Sequence, residues 1–379
     1  MWPKEEYQQL SPEWNRVRRL LVMRLDNIGD VILLSPALRA LRRALPQAAI
    51  TLMASPAGSQ AAPLLPWIDD LIVHRAVWQD VSHRLPQDPV REMAFIDTLR
   101  QRQFDAAVIF TSFSQSPYPP AHVCYLAGIP VRLGQSAAFG GGILSDWVKP
   151  QPDDTHQAER NLYLLESVGF RVPDRHLELH VPADVQETAD TLLRRRELDP
   201  DAPFILLAPG ASCPARRYPP HRFAAVVQLL AAQTPWPIVV VGSEREKPLF
   251  APILADDLGG RVISLVGETS VPELTAVIRR ASVVVANNSG PLHMADAFGR
   301  PIVVLYSGTE FETQWQPRRS PARLLRRPTV CSPCYRFQCP YNLECLNIPP
   351  EQVAAAVLSL LCEPLAQPAA ARTPQEANI

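Results

Sequence analysis

The sequence predicts an α/β protein of two Rossmann-like domains whose parallel sheets face a cleft. Three observations predict it. Short apolar runs rich in β-branched residues alternate with amphipathic segments along most of the chain. Polar turns bearing glycine or proline follow several of these runs. The whole pattern occurs twice, once in each half. Alternation of this kind implies parallel sheets with helices on both faces. Right-handed crossovers then bring the binding loops to the carboxyl ends of the strands.

The first half opens on an apolar run at 20–23, then Asp26-Asn27-Ile28-Gly29-Asp30. Leu34, Leu38, Leu41 and Leu45 follow at helical spacing, with Arg39, Arg42 and Arg43 on the other face. Further strands are expected at 49–53, 71–73 and 106–110. Residues 134–155 read as irregular, and a helix is expected over 157–168. In the second half, strands are expected at 204–208, 238–241, 262–265, 283–286 and 302–306. Helices are expected between them at 220–232, 244–257, 272–280 and 291–298. The halves join near 170–200. The expected division is a first domain over 1–180, a second over 181–349, a helix over 350–365, and a flexible tail over 366–379.

Bulk properties narrow the function. The 379 residues suffice for two domains, and 47% of them are apolar. Lys+Arg (37) and Asp+Glu (38) nearly cancel and no basic stripe stands out, which argues against nucleic-acid binding. The first six residues are polar and acidic, unlike a signal peptide. No apolar run approaches the ~20 residues that span a bilayer. A cytoplasmic protein is expected, with its seven cysteines as thiols or metal ligands.

Four segments could carry chemistry. Asn287-Asn288-Ser289-Gly290 ends a buried strand, and Pro291 starts a helix with His293 in its first turn. Such a helix end offers N–H groups to an anion such as a diphosphate; a plain N-cap by Asn288 or Ser289 is the alternative. Ser212, Arg216 and Arg217 lie in a loop after the first strand of the second half, where arginine forks suit phosphate oxygens. Asp30 follows Gly29 at the first turn of the chain. It is either an N-cap or a carboxylate that takes a proton from a hydroxyl in the cleft. Cys331, Cys334, Cys339 and Cys345 fall within fifteen residues. Four thiolates can close a tetrahedral zinc site; Fe–S ligation, a redox pair or plain thiols stay open. Weaker candidates are Glu244 at a strand end, either for a ribose hydroxyl or as a plain helix-start residue, and the helical pair His156 and Arg160, either facing the cleft or solvated.

With these residues in view, the chain resembles glycosyltransferase family nine, the ADP-heptose:lipopolysaccharide heptosyltransferase-like enzymes. The resemblance spans roughly residues 18–350. It rests on Arg24-Leu25-Asp26-Asn27-Ile28-Gly29-Asp30, on His156 with Arg160, on Pro209-Gly210-Ala211-Ser212 with Arg216, and on Asn287-Asn288-Ser289-Gly290-Pro291 with His293. It implies a GT-B fold, with the acceptor on the first domain, the nucleotide sugar on the second, and a last helix that crosses back to the first. It implies an inverting transfer that needs no cofactor or metal, from ADP-heptose or a related donor to a lipid-linked glycan acceptor. Asp30 is then the catalytic base. Ser212, Arg216, Glu244, Asn288, Ser289, Gly290 and His293 hold the donor, and Arg24, Asn27, His156 and Arg160 lie on the acceptor side. A peripheral contact with the inner membrane is expected, with Arg39, Arg42 and Arg43 as one candidate surface, a plain solvated helix face being the favoured alternative for them.

The chain departs from the family at three points. Asn288 stands where many members have Asp, Arg216 where the best-known members have Lys, and the four-cysteine segment is absent from the best-known heptosyltransferases. The first two bear on donor choice. Two rivals stay open: a nucleotide-sugar epimerase on the same fold, and a non-catalytic nucleotide or glycan binder. A nicotinamide-dependent oxidoreductase lacks its Gly-x-Gly-x-x-Gly turn here.

Overall fold

The computed structural model describes residues 10–80, 83–113, 115–255 and 258–362. The first six residues, the expected tail over 366–379, and the ends of the helices expected over 244–257 and 350–365 lie outside the described residues.

The first six strands are β1 (Arg19–Arg24), β2 (Ala49–Ala54), β3 (Asp70–Val73), β4 (Ala106–Ile109), β5 (Val131–Gln135) and β6 (Asp146–Val148). They form one parallel sheet in the order β3-β2-β1-β4-β5-β6. The next six are β7 (Ile205–Ala208), β8 (Ile238–Val240), β9 (Val262–Ser264), β10 (Val283–Asn287), β11 (Ile302–Leu305) and β12 (Ala322–Leu325). Their parallel sheet runs β12-β11-β10-β7-β8-β9, which is the same winding. In each sheet the order reverses between two central strands, β1 and β4 or β7 and β10. Ligands bind in the crevice outside the carboxyl ends at such a reversal.

The apolar runs become central strands because both faces of a parallel sheet are covered. Every residue of β4, β7, β10 and β11 is buried. Alternate side chains enter different layers. Leu206 and Ala208 join the core shared by both domains, with Leu20, Val31 and Leu292. Ile205 and Leu207 join a second core behind the second sheet. Leu21, Met23 and Ile109 fill a third behind the first sheet. Three strands were not expected. Inner strand β5 is buried throughout, but Arg132 and Gly134 interrupt its apolar run. The stretch 134–155, expected to be irregular, holds the end of β5 and all of β6. The strands β6 and β12 are short edge strands, only partly buried, and lack a continuous apolar run.

A polar latch joins the domains beside the helix Gln157–Glu166. Gln314 donates to the Asp153 carbonyl at 2.6 Å, and His156 Nε2 lies 3.0 Å from the Gln316 carbonyl. Arg318 bonds Glu159 and the Arg175 carbonyl. Asp296 shapes that segment by accepting the backbone N–H groups of Arg318, Arg319 and Ser320, each at 2.9 Å.

Two expectations need correction. The last helix, Pro350–Leu361, does not dock on the first domain. Its buried Val353, Ala354, Val357 and Leu360 belong to the second core, against Phe223 and Val227 of the helix Pro220–Gln233. That core offers the apolar stripe a closer partner. The arginine face over 39–43 is also largely occupied. Arg39 is buried and paired with Asp174 and Glu178. Arg42 holds the Ala48 carbonyl at 2.7 Å and Asp69 at 2.5 Å. Only Arg43 of the three is exposed. Among the described residues no helix is long and apolar enough to cross a membrane.

Because Leu360 is buried in the second core, Leu360→Ala is expected to cost about 2–5 kcal/mol in urea unfolding. A loss below about 1 kcal/mol would show that the helix is not packed there.

Candidate active site

The loops after β1, β4, β7, β10 and β11 converge on one cavity of about 840 Å³ between the domains. Two short helices meet at its floor, Ile28–Ile32 from the first domain and Gly290–Ala297 from the second. The approach depends on Gly29. A side-chain carbon there would come within 2.9 Å of His293 Cδ2.

On the first-domain wall, Asp30 is held from several sides. Arg24 Nη2 donates to its Oδ1 at 2.8 Å and to Ser112 Oγ at 2.7 Å. Ser112 Oγ donates to the same carboxylate oxygen at 3.1 Å. The Asn27 backbone N–H donates to Oδ2 at 3.1 Å. Arg24 Nε also pairs with Asp26 at 2.9 Å, and Gln115 donates to Asp26 at 2.6 Å. Burial raises the Asp26 carboxyl, opposed by Arg24 and reinforced by Asp30. Asp30 is therefore not the N-cap; Asn27 is, and Asp30 is the third helical residue with its carboxylate at the cavity.

The second-domain wall is organised by Asn287. This buried side chain donates to the Pro209 carbonyl at 2.7 Å and accepts the Tyr218 N–H at 3.1 Å, tying the loop after β7 to the end of β10. Ser289 occupies the N-cap position of the helix Gly290–Ala297 but places no side-chain cap on it. Its Oγ turns instead to the Asn287 carbonyl at 3.3 Å. The helix start is thus open to an anion. Arg216 enters from the turn Pro214–Arg216, with Nη1 3.5 Å from Ser212 Oγ. His293 is buried, and burial pushes its pKa down to about 4, with Asp30 and Asp296 pulling it up and Arg216 down. It is neutral near pH 7, a hydrogen-bonding group rather than a positive charge.

The cavity thus gathers Asn27, Asp30, Ser212, Arg216, Asn288, Ser289, Gly290 and His293. Four other candidates fall outside its lining. Arg24 is fully buried and meets Asp26 and Asp30, so it positions the carboxylate and cannot touch an acceptor. His156 is spent on the interdomain latch. Its Nδ1 accepts the Ala158 N–H at 3.1 Å, so Nε2 carries the proton donated to Gln316. Burial, then Arg318 and His293, push its pKa down to about 3. Arg160 is buried behind Phe113, its guanidinium 4.4 Å from the ring centre. Glu244 is largely exposed beside Lys247. The carboxylate that reaches the cavity is Glu246, two residues on, which accepts the Ser243 N–H at 2.9 Å.

The sequence reading also missed cavity residues. Ser112 and Gln115 follow β4, and Thr309 and Glu310 follow β11, so the strand-end rule alone could have found them. Tyr335, Arg336 and Phe337 carried no signal. They reach the cavity because the cysteine segment pairs with the second domain, through Tyr335 N–H to Thr309 O at 2.8 Å and Ala215 N–H to Phe337 O at 3.1 Å.

The four cysteines of that segment line one small cavity of about 200 Å³, all as free thiols. They do not close into the expected zinc or Fe–S ligand set. Among the described residues no group of three or more His, Cys, Asp or Glu side chains could hold a metal ion. Cys331 is exposed, 3.5 Å from Thr329 Oγ1, while Cys345 is buried and its thiol is pushed up by that burial.

Two outcomes are expected. Arg24→Met leaves two carboxylates without their shared cation and costs about 3–5 kcal/mol in urea unfolding; a change under 1 kcal/mol would show that the carboxylates do not need it. His156 and His293 stay neutral when folded but take up a proton near pH 6.5 when unfolded. Stability is therefore complete above pH 6.5 and falls as pH drops, by up to about 2 kcal/mol per histidine by pH 5. His156→Asn keeps a capping side chain, and unfolding at pH 7 and pH 5 should show a smaller fall than in the parent chain. An equal fall would remove His156 from the effect.

Comparison with known proteins agrees with this geometry. The chain is 26% identical over 358 residues to lipopolysaccharide heptosyltransferase 2 of Escherichia coli (strain K12), covering 91% of this chain and 99% of that protein. Its fold matches that of a glycosyl transferase family 9 protein from Veillonella parvula DSM 2008, with TM-score 0.73, 21% identity, and coverage of 95% and 99%. It also matches E. coli ADP-heptose lps heptosyltransferase II, with TM-score 0.70, 22% identity, and coverage of 90% and 98%. The family pattern of glycosyltransferase family 9 (heptosyltransferase) covers residues 93–344, two thirds of the chain, with the second-domain wall of the cleft and Ser112, Phe113 and Gln115 of the first; Asp30 precedes it. The chain belongs to glycosyltransferase family 9 and has its GT-B fold of two facing Rossmann-like domains.

Proposed function

We propose that this glycosyltransferase moves heptose from ADP-heptose to the lipopolysaccharide core or a related lipid-linked glycan, with inversion at the anomeric carbon. It would work at the cytoplasmic side of the inner membrane. One observation carries the reading: Asp30 and an anion-binding helix start line the same cavity from opposite domains. The names of the relatives supply the donor and the acceptor class.

In the proposed step the acceptor hydroxyl gives its proton to Asp30. Its oxygen bonds the anomeric carbon as the bond from that carbon to the diphosphate oxygen breaks on the opposite face. The electron pair of the broken bond leaves with ADP. Arg216, Ser212 and the start of the helix Gly290–Ala297 meet the developing charge, and neutral His293 adds a hydrogen bond. These groups perform the task a metal ion performs in other transferases, and the reading assigns no metal to the step. Arg24, Ser112 and the Asn27 N–H hold Asp30 so that it is ready to accept the proton.

Asp30→Asn should lower transfer by about 10²–10⁴-fold and leave ADP affinity nearly unchanged. Unaltered turnover would reject the base assignment. Among ADP, GDP, UDP and CDP, only ADP at ~100 times its dissociation constant should add about 2.7 kcal/mol of stability. A shift with another nucleotide would replace the donor, and isomerised sugar without an acceptor would replace transfer by epimerisation. Transfer should persist in excess chelator; its loss would reject the metal-independent step.

A further inference from the structure

Glu310 is a carboxylate at the proposed diphosphate seat that the proposed reaction leaves unused. It follows β11 and is almost wholly buried. One carboxylate oxygen pairs with Arg216 Nη2. The other accepts Asn288 Nδ2 at 3.0 Å and lies 3.4 Å from Thr309 Oγ1, which is itself 2.9 Å from Ser307 Oγ. Arg216 is left with Nη1 beside Ser212 and with a buried Nε that has no partner. Glu310, Arg216 and Asn288 all line the cavity.

This arrangement accounts for the amide at position 288. An amide N–H satisfies Glu310, whereas a carboxylate there would stand about 3 Å from a second carboxylate. Two such groups cannot both ionise without large cost. One negative charge beside Arg216 is enough to orient the guanidinium, and here it comes from the loop after β11 rather than from the turn after β10.

We propose that Glu310 is a positioning residue of the donor site: it sets Arg216 and Asn288 for the diphosphate, and it is the carboxylate that an aspartate at 288 would otherwise supply. This rests on the glycosyl-transfer reading above. The pair is expected to be exchangeable. With Asp at 288 and Gln at 310, the glutamine carbonyl accepts from Arg216, its amide donates to the aspartate, and the net charge is unchanged.

The test compares the parent chain with E310Q, N288D and the double variant N288D/E310Q. Three quantities are read: kcat with ADP-heptose and acceptor, the dissociation constant of ADP, and the melting temperature. E310Q should lower kcat about tenfold or more, while ADP binds as tightly or more tightly because a negative charge near it is gone. N288D should weaken ADP binding about tenfold or more through like-charge repulsion. The double variant should recover ADP binding and kcat at least tenfold over N288D. The proposal is overturned by parental kcat in E310Q, or by a double variant no better than N288D in kcat and ADP binding. Recovery confined to the melting temperature also overturns it, since that marks a structural ion pair only. If E310Q does not fold, N288D against the double variant still decides. Failure of the parent chain to turn over ADP-heptose rejects the donor reading, while the ADP affinities still report on Glu310.

Discussion

A parallel strand cannot turn directly into its neighbour, so each loop that follows a strand leaves from the same edge of its sheet. The rest of this molecule depends on that constraint. It applies twice, because both sheets have the same winding, and the two carboxyl edges meet across one cavity. The first-domain edge carries Asp30 and Ser112. The second carries Ser212, Arg216, the turn at Asn288–Gly290, and Glu310. Residues separated by up to 280 positions in sequence thereby meet without any long loop to carry them. Gly29 sets how closely the edges approach, since the ring of His293 occupies the space a side chain would need.

Charge in the cavity is tightly matched. Arg24 is shared between Asp26 and Asp30, and Arg216 is tied to Glu310. The two buried histidines near the interface stay neutral. Each guanidinium holds a carboxylate in place, so binding can exchange partners rather than bring a bare ion out of water. The interdomain latch through Gln314, Gln316 and Arg318 follows the same economy, using backbone carbonyls and one glutamate. The cysteine segment adds no ligand set of its own. Through Tyr335 and Phe337 it closes one side of the donor wall.

The inner strands β1, β2, β4, β7, β8, β10 and β11 and the loops after them were legible from residues alone. A parallel strand covered on both faces reads as a near-continuous apolar run, and the polar residues that end it mark the cleft. Asp30, Ser212, Arg216 and the turn at Asn287–Gly290 were found this way. The inner strand β5 was not, because Arg132 and Gly134 break its run, nor were the edge strands β6 and β12, which have no such run. Glu244 and Glu246 both follow β8, and only the course of the turn brings the second to the cavity. His156 and Arg160 sit in a recognisable motif, but their role is set by Gln316 and Phe113, which sequence distance hides.

The sequence by itself determined the fold class and the two-domain layout, since strand periodicity is a local property of the chain, and its strand-end motifs carried the family resemblance that implied the reaction class. Tertiary structure alone decided which side chains face the cavity and which support it from behind. It buried Arg24 as the anchor of Asp30, docked the last helix on the second core, left the four thiols short of a metal site, and joined Glu310 to Arg216 and Asn288. These outcomes depend on packing between distant segments. Burial and partner identity, which fix what a charged group does, exist only once those segments have met.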